Sequence, residues 1–174
     1  MRRIIRRREI VADELRYAGE TGAAAPGADG TVAVLSLAQW LAAAGAVTQG
    51  EAAPVATPAA VLLAAADEVE TLGAHLQGVR WIVIEFAKIG EGRGFSQARL
   101  LRQRYRYAHE LRARGAINRD QLFLLARCGF DAFDLEAEED LPAALAAFST
   151  FSVAYQDGSD SLVSVHQRTL APGA

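Results

Sequence analysis

From residue 60 onward, short apolar runs alternate with longer stretches in which apolar residues recur at helical spacing. "AVLLAA" (60–65), "RWIVIEF" (80–86), "HELRA" (109–113) and "FDAFDL" (130–135) predict strands. "DEVETLGAHLQG" (67–78), "FSQARLLRQRYRY" (95–107), "NRDQLFLLARCG" (118–129) and "EEDLPAALAAFSTF" (138–151) predict helices. The breaks carry chemical signals. Acidic residues open the 67–78 helix, where the helix dipole favours them. Asn118 is placed to cap its helix and Gly129 to close it. Upstream the pattern is looser. Two β-branched pairs, Ile4–Ile5 and Ile10–Val11, predict an edge strand or hairpin arm. "TVAVLSLAQWLAAAG" (31–45) predicts a strand and a short helix capped by Ser36, with Trp40 packed on the body. The stretches 19–30 and 46–59 are small, polar and proline-containing, and predict loops.

Strand–helix alternation with short connections predicts parallel strands joined by right-handed crossovers. The apolar "WIVI" run suits a central strand covered on both faces. The expected fold is therefore α/β. It has a small, mostly parallel sheet of four or five strands, with helices on both faces and an N-terminal β/loop appendage. Part of a barrel-like βα array would give the same local pattern. The expected organisation is an N-terminal strand, loops and short helix over 1–58, an α/β core over 59–156, and a loose tail over 157–174.

Composition narrows the classes. The chain has 174 residues, a 51% hydrophobic share and a formal charge of −3, which describes an acidic globular protein and not a bulk nucleic-acid binder. Its start is basic without a signal-peptide core, and no run is apolar enough to span a membrane, so the expected location is the cytoplasm. One cysteine, Cys128, excludes an internal disulfide and reads as a small buried hydrophobe. His75, His109 and His166 have no metal-ligand spacing, and no metal site is expected. The charge is uneven: residues 80–127 hold eleven basic and four acidic side chains, and all the basic ones except Lys88 are arginine. Arginine presents a permanently charged planar fork suited to oxyanions.

Ligands of parallel α/β sheets bind beyond the carboxyl ends of the strands. That rule gathers the loops "AKIGEGRGFS" (87–96), "RGAINRD" (114–120) and "EAEED" (136–140) onto one edge. Gly90, Gly92 and Gly94 precede a helix start at Phe95 or Ser96, an arrangement open to an anion. It is neither the dinucleotide fingerprint nor a Walker A loop. Arg99, Arg102 and Arg106 fall on one helical face and read as a solvated stripe or a docking surface for an acidic partner. Glu85 reads as a general base or, by preference, as an ion-pair partner of a loop arginine. The candidate ligand-binding residues are Gly92, Arg93, Gly94, Ser96, Arg99, Arg102, Arg112, Arg114 and Asp120.

The motifs "GRGFSQARLLRQRY", "ELRA", "RDQL" and "RCGFDAF", in this order and spacing, resemble the bacterial domain of unknown function 934 family. The N-terminal "REIVADELRY" and "SLAQWL" resemble it too. The resemblance implies a role beside assimilatory sulfite reductase, and brings Gln121, Arg127, Cys128 and Asp131 in as further site candidates. The expectation is an accessory protein that binds an oxyanion or an acidic reductase surface through the Arg/Gly-rich loop. The alternative is an oxidoreductase that seats the phosphate of a nicotinamide or flavin nucleotide there. Sulfite reductase or another redox protein, a small oxyanion or nucleotide, and a second copy of the chain are the partners considered.

Overall fold

The computed structural model describes residues 2–17, 31–48, 58–136, 139–149, 154–155, 157–159 and 164. Eight strands form one sheet: β1 (Arg3–Arg6), β2 (Glu9–Ala12), β3 (Leu15–Tyr17), β4 (Val32–Ser36), β5 (Ala60–Leu63), β6 (Trp81–Phe86), β7 (Glu110–Gly115) and β8 (Ala132–Asp134). Their order across the sheet is β2-β1-β8-β7-β6-β5-β4-β3. Neighbours from β3 to β8 pair parallel, while β1 runs antiparallel to both β2 and β8. The sheet is therefore mixed. It is larger than the small, mostly parallel sheet expected, because the N-terminal segment supplies four of its strands.

The order forces curvature. β2 and β3 lie at opposite ends of the sheet, yet only Asp13 and Glu14 separate them. Laid flat, eight strands would put those ends about 34 Å apart, at roughly 4.8 Å per strand. Two linking residues reach no more than about 11 Å. The sheet consequently curls into a half-barrel.

Curling also decides where the helices go. From β3 to β8 the strand order never reverses, so each right-handed crossover returns on the same side. The helices are α1 (Leu37–Thr48), α2 (Arg93–Gln103), α3 (Leu122–Arg127) and α4 (Leu141–Ala147). Trp40, Leu101, Leu125 and Ala144 from these helices join Val61, Ile82, Ile84 and Leu111 of the sheet in one core. The opposite face has its own smaller core of Leu15, Tyr17, Val34, Ala60, Trp81 and Val83, all from strands or their borders. The expectation of helices on both faces is corrected accordingly: one face packs helices, and the other closes on its own side chains.

Local details follow from the sequence. Ser36 and Gln39 cap α1 reciprocally: Ser36 N–H donates to Gln39 Oε1 at 3.1 Å, and Gln39 N–H donates to Ser36 Oγ at 3.4 Å. Ahead of α3 half of a second capping box forms: Asn118 N–H donates to Gln121 Oε1 at 3.1 Å, while Gln121 N–H donates to the Asn118 backbone carbonyl at 3.1 Å. The segment Val69–Gly78, expected as an α-helix, is a 3-10 helix broken at Gly73 (φ 14°, ψ −101°). β3 went unforeseen, since three residues carry too little pattern to register as a strand. The loop expected at 19–30 lies outside the described residues, and the tail expected at 157–174 mostly does. Within that tail, Ser159 N–H donates to Arg127 O at 2.7 Å, and Ser164 is buried.

Gly94 gives the packing a direct test. A Cβ there would sit 2.6 Å from the Phe86 ring, whereas one at Gly92 would meet open space. Gly94→Ala should destabilise the protein by about 1–3 kcal/mol through overpacking. Gly92→Ala should stay within about 0.5 kcal/mol of the parent. Urea denaturation of the two variants checks the contrast.

Candidate functional site

The inner face of the half-barrel is built by register. Trp81, Val83 and Glu85 on β6 stand opposite Glu110, Arg112 and Arg114 on β7. Arg112 and Arg114 in turn stand opposite Ala132 and Asp134 on β8. Alternation therefore sends three successive β7 polar residues, Glu110, Arg112 and Arg114, to the same side.

At the middle of this face Arg112 is 0% exposed. Its Nη1 donates to Asp13 Oδ1 at 2.6 Å and to the Tyr17 hydroxyl at 3.4 Å, and its Nη2 donates to Glu110 Oε1 at 2.9 Å. Asp13 Oδ1 also accepts from Leu15 N–H at 2.9 Å. Burial works against the guanidinium's charge, but Tyr17, Asp13 and Glu110 outweigh it and its pKa moves up. Burial pushes the Tyr17 hydroxyl up to about 12 despite Arg112 beside it, so it stays a neutral donor and acceptor.

Above Arg112, at the carboxyl ends of the strands, lies the mouth. Arg114 stacks on the Tyr17 ring with Cζ 3.4 Å from the centroid, a cation–π contact. Its Nε lies 3.5 Å from Asp134 Oδ2, and Arg2 Nε lies 2.8 Å from Asp134 Oδ1. Asp134 is only 1% exposed. Neither of its oxygens receives a hydrogen bond of good geometry. Burial raises its pKa above the ordinary aspartate range, against the pull of Arg2 and Arg114. A cavity of about 350 Å³ opens here between Arg2, Glu85, Arg114, Asp134 and Glu136.

Glu85 lines this cavity half-buried and, among the described residues, has no ion-pair or hydrogen-bond partner. The expected ion pair with a loop arginine does not form. Arg114, the cross-strand neighbour, is directed to Tyr17 and Asp134 instead.

The structure divides the sequence-predicted site residues into three places. Arg112 and Arg114 lie on the inner face, the first enclosed and the second at the mouth. Gly92, Arg93, Ser96 and Arg99 lie exposed at the start of α2, on the outer surface. Gly94 is buried against Phe86, so close packing requires that glycine. Arg102 is not part of a solvated stripe. It turns in, donating to Gly129 O at 2.8 Å and His109 O at 2.9 Å and pairing with Asp131. These contacts lie at the amino ends of β7 and β8, away from the mouth. Arg106 follows the end of α2 with φ 53°, so the three-arginine stripe does not exist as one helical face. Asp120 is exposed beside Arg119. Cys128 is buried in the core.

Sequence reading missed Asp13, Tyr17, Arg2 and Asp134 as members of this site. One signal was available: Asp134 is a lone acid inside the apolar "FDAFDL" strand, two residues from buried Ala132 and so on its face. Among the described residues, no cluster of three metal-ligating side chains occurs. No helix among them is long and apolar enough to cross a membrane.

The model of a bacterial protein family of unknown function, DUF934, matches residues 60–166, and the chain belongs to that family. The match covers β5 to β8 and α2 to α4, and so includes Glu85, Arg114 and Asp134 of the mouth. No curated protein and no solved structure matches the chain.

The environment of Asp134 sets a pH dependence. Its folded pKa is raised, so the folded state holds its proton more tightly than the unfolded chain does. Stability from this group is therefore full below the ordinary aspartate pKa of about 3.9 and declines as pH rises toward the folded value. Asp134→Asn should melt above the parent near pH 8, with the gap closing as pH falls below about 4. A lower melting temperature for the variant at both ends of a pH series would contradict this reading.

Proposed function

We propose that this protein is an accessory of sulfite reduction that docks onto an acidic surface of a partner through the exposed start of α2. One observation carries the docking surface. Arg93 and Arg99 are exposed and, among the described residues, have no acidic or hydrogen-bonding partner. The other arginines of the predicted set are engaged internally: Arg112 by Asp13 and Glu110, Arg102 by Asp131 and backbone carbonyls, and Arg114 by Tyr17 and Asp134. Ser96 lies between Arg93 and Arg99 at helical spacing, and exposed Lys88 precedes them in the loop. The surface is basic on a protein whose overall charge is −3. Such a patch steers an acidic partner and fixes its register. The choice of sulfite reductase as that partner rests on the family resemblance of the arginine-rich motifs.

The test is a pull-down and a titration with a sulfite reductase at rising salt. Binding should weaken with ionic strength, as contacts between exposed charges do. Arg93→Glu combined with Arg99→Glu should weaken it by about tenfold or more, near 1.4 kcal/mol. Arg119→Glu, another exposed arginine, should leave it within about twofold. Equal losses in the two variants, or binding insensitive to salt, would reject the docking surface.

A further inference from the structure

The mouth of the half-barrel has features that a docking surface on α2 leaves unexplained. Its charged side chains alternate in sign: Glu85, Arg114, Asp134 and Arg2, with Glu136 at the rim. Structural ion pairs account for only part of this set. Asp134 sits between two guanidiniums, yet neither of its buried oxygens receives a hydrogen bond. A buried carboxylate left in that state is costly, and a ligand donor would relieve it. Glu85 faces the same cavity with no partner among the described residues. The backbone around the cavity is firmly set: Ala116 N–H donates to Phe86 O at 2.8 Å, and Gly115 holds φ 99° hard against the Phe86 backbone.

We infer that the mouth is a binding site for a small zwitterion of the α-amino acid class, its ammonium group donating to the acidic side chains Glu85 and Asp134 and its carboxylate on the arginine side of the cavity. The alternation of sign favours a ligand with both charges a few ångströms apart. A lone oxyanion would meet three carboxylates, and a lone amine would meet two guanidiniums. Size agrees. The cavity volume of about 350 Å³ is near the bottom of the roughly 300–1,000 Å³ range of ligand pockets, which suits a metabolite of amino-acid size and not a dinucleotide. Position agrees as well, because the carboxyl ends of parallel barrel strands are where such folds place their ligands.

The proposal is tested on the full chain by thermal shift and calorimetry, with the proteinogenic α-amino acids as probes and acetate and methylammonium as their separate halves. At least one amino acid should raise the melting temperature saturably, as a ligand of the native state does. Neither half should do so at the same concentration. Glu85→Gln, which breaks no side-chain hydrogen bond or ion pair among the described residues, should keep the fold by circular dichroism and weaken amino-acid binding about tenfold or more. A shift with acetate alone would overturn the proposal in favour of an oxyanion site. No saturable shift with any amino acid, or a shift that Glu85→Gln leaves unchanged, would also overturn it.

Discussion

A fully buried arginine governs this molecule. Arg112 has left water entirely, and a bare guanidinium in that position would be prohibitively unfavourable. It is tolerated because three groups converge on it: Asp13, Glu110 and Tyr17. Asp13 belongs to the two-residue link between β2 and β3, the opposite ends of the sheet, while Arg112 stands in the middle of β7. Their contact therefore spans the concave side of the sheet and ties the link to its centre. Hydrophobic burial on the helix-covered face stabilises the sheet but does not specify how far it curls. The Arg112 network supplies that directional restraint, and it raises a polar layer directly beneath the mouth.

The layer organises what lies above it. Tyr17 accepts a hydrogen bond from Arg112 at its hydroxyl and offers its ring to Arg114. Arg114 thus stands on a platform that Arg112 positions, and from there reaches toward Asp134. The outer surface is independent of this arrangement. Arg93 and Arg99 owe their exposure to α2 packing through Ala98, Leu101 and Gly94, which leaves the other side of the helix to water. The protein thus has two chemically different faces, a mixed-charge mouth and a basic helix.

How much of this was legible in the sequence follows the range of the forces involved. Strands β5 to β8 and helices α1 to α4 announce themselves through apolar spacing and caps, which are local signals. The N-terminal hairpin was visible in its β-branched pairs. Curling was not, because it depends on which strand neighbours which, and β3 is too short to show itself. The edge at the carboxyl ends of the strands was readable from parallel topology; Arg114 lies there, while Arg112 lies below it, enclosed. Their fates diverge by one strand pair: Arg112 stands level with the β2–β3 link and is consumed, while Arg114 stands above it. Arg102 was misread as solvated because its spacing fits the exposed face of α2. Only the fold brings Asp131 and the carbonyls of His109 and Gly129 within its reach.

The most direct test of this account is a double-mutant cycle between Arg112→Met and Asp13→Asn, read by chemical denaturation. Asn at 13 keeps an acceptor for Leu15 N–H and removes the charge that faces Arg112. Arg112→Met alone should lose about 3–5 kcal/mol, since it strands buried acids. The coupling energy between the two sites should be roughly 1–3 kcal/mol, the double variant losing less than the sum of the singles. Losses that add to within about 0.5 kcal/mol would show that the two residues act separately, and that the curl of the sheet is set by something other than this pair.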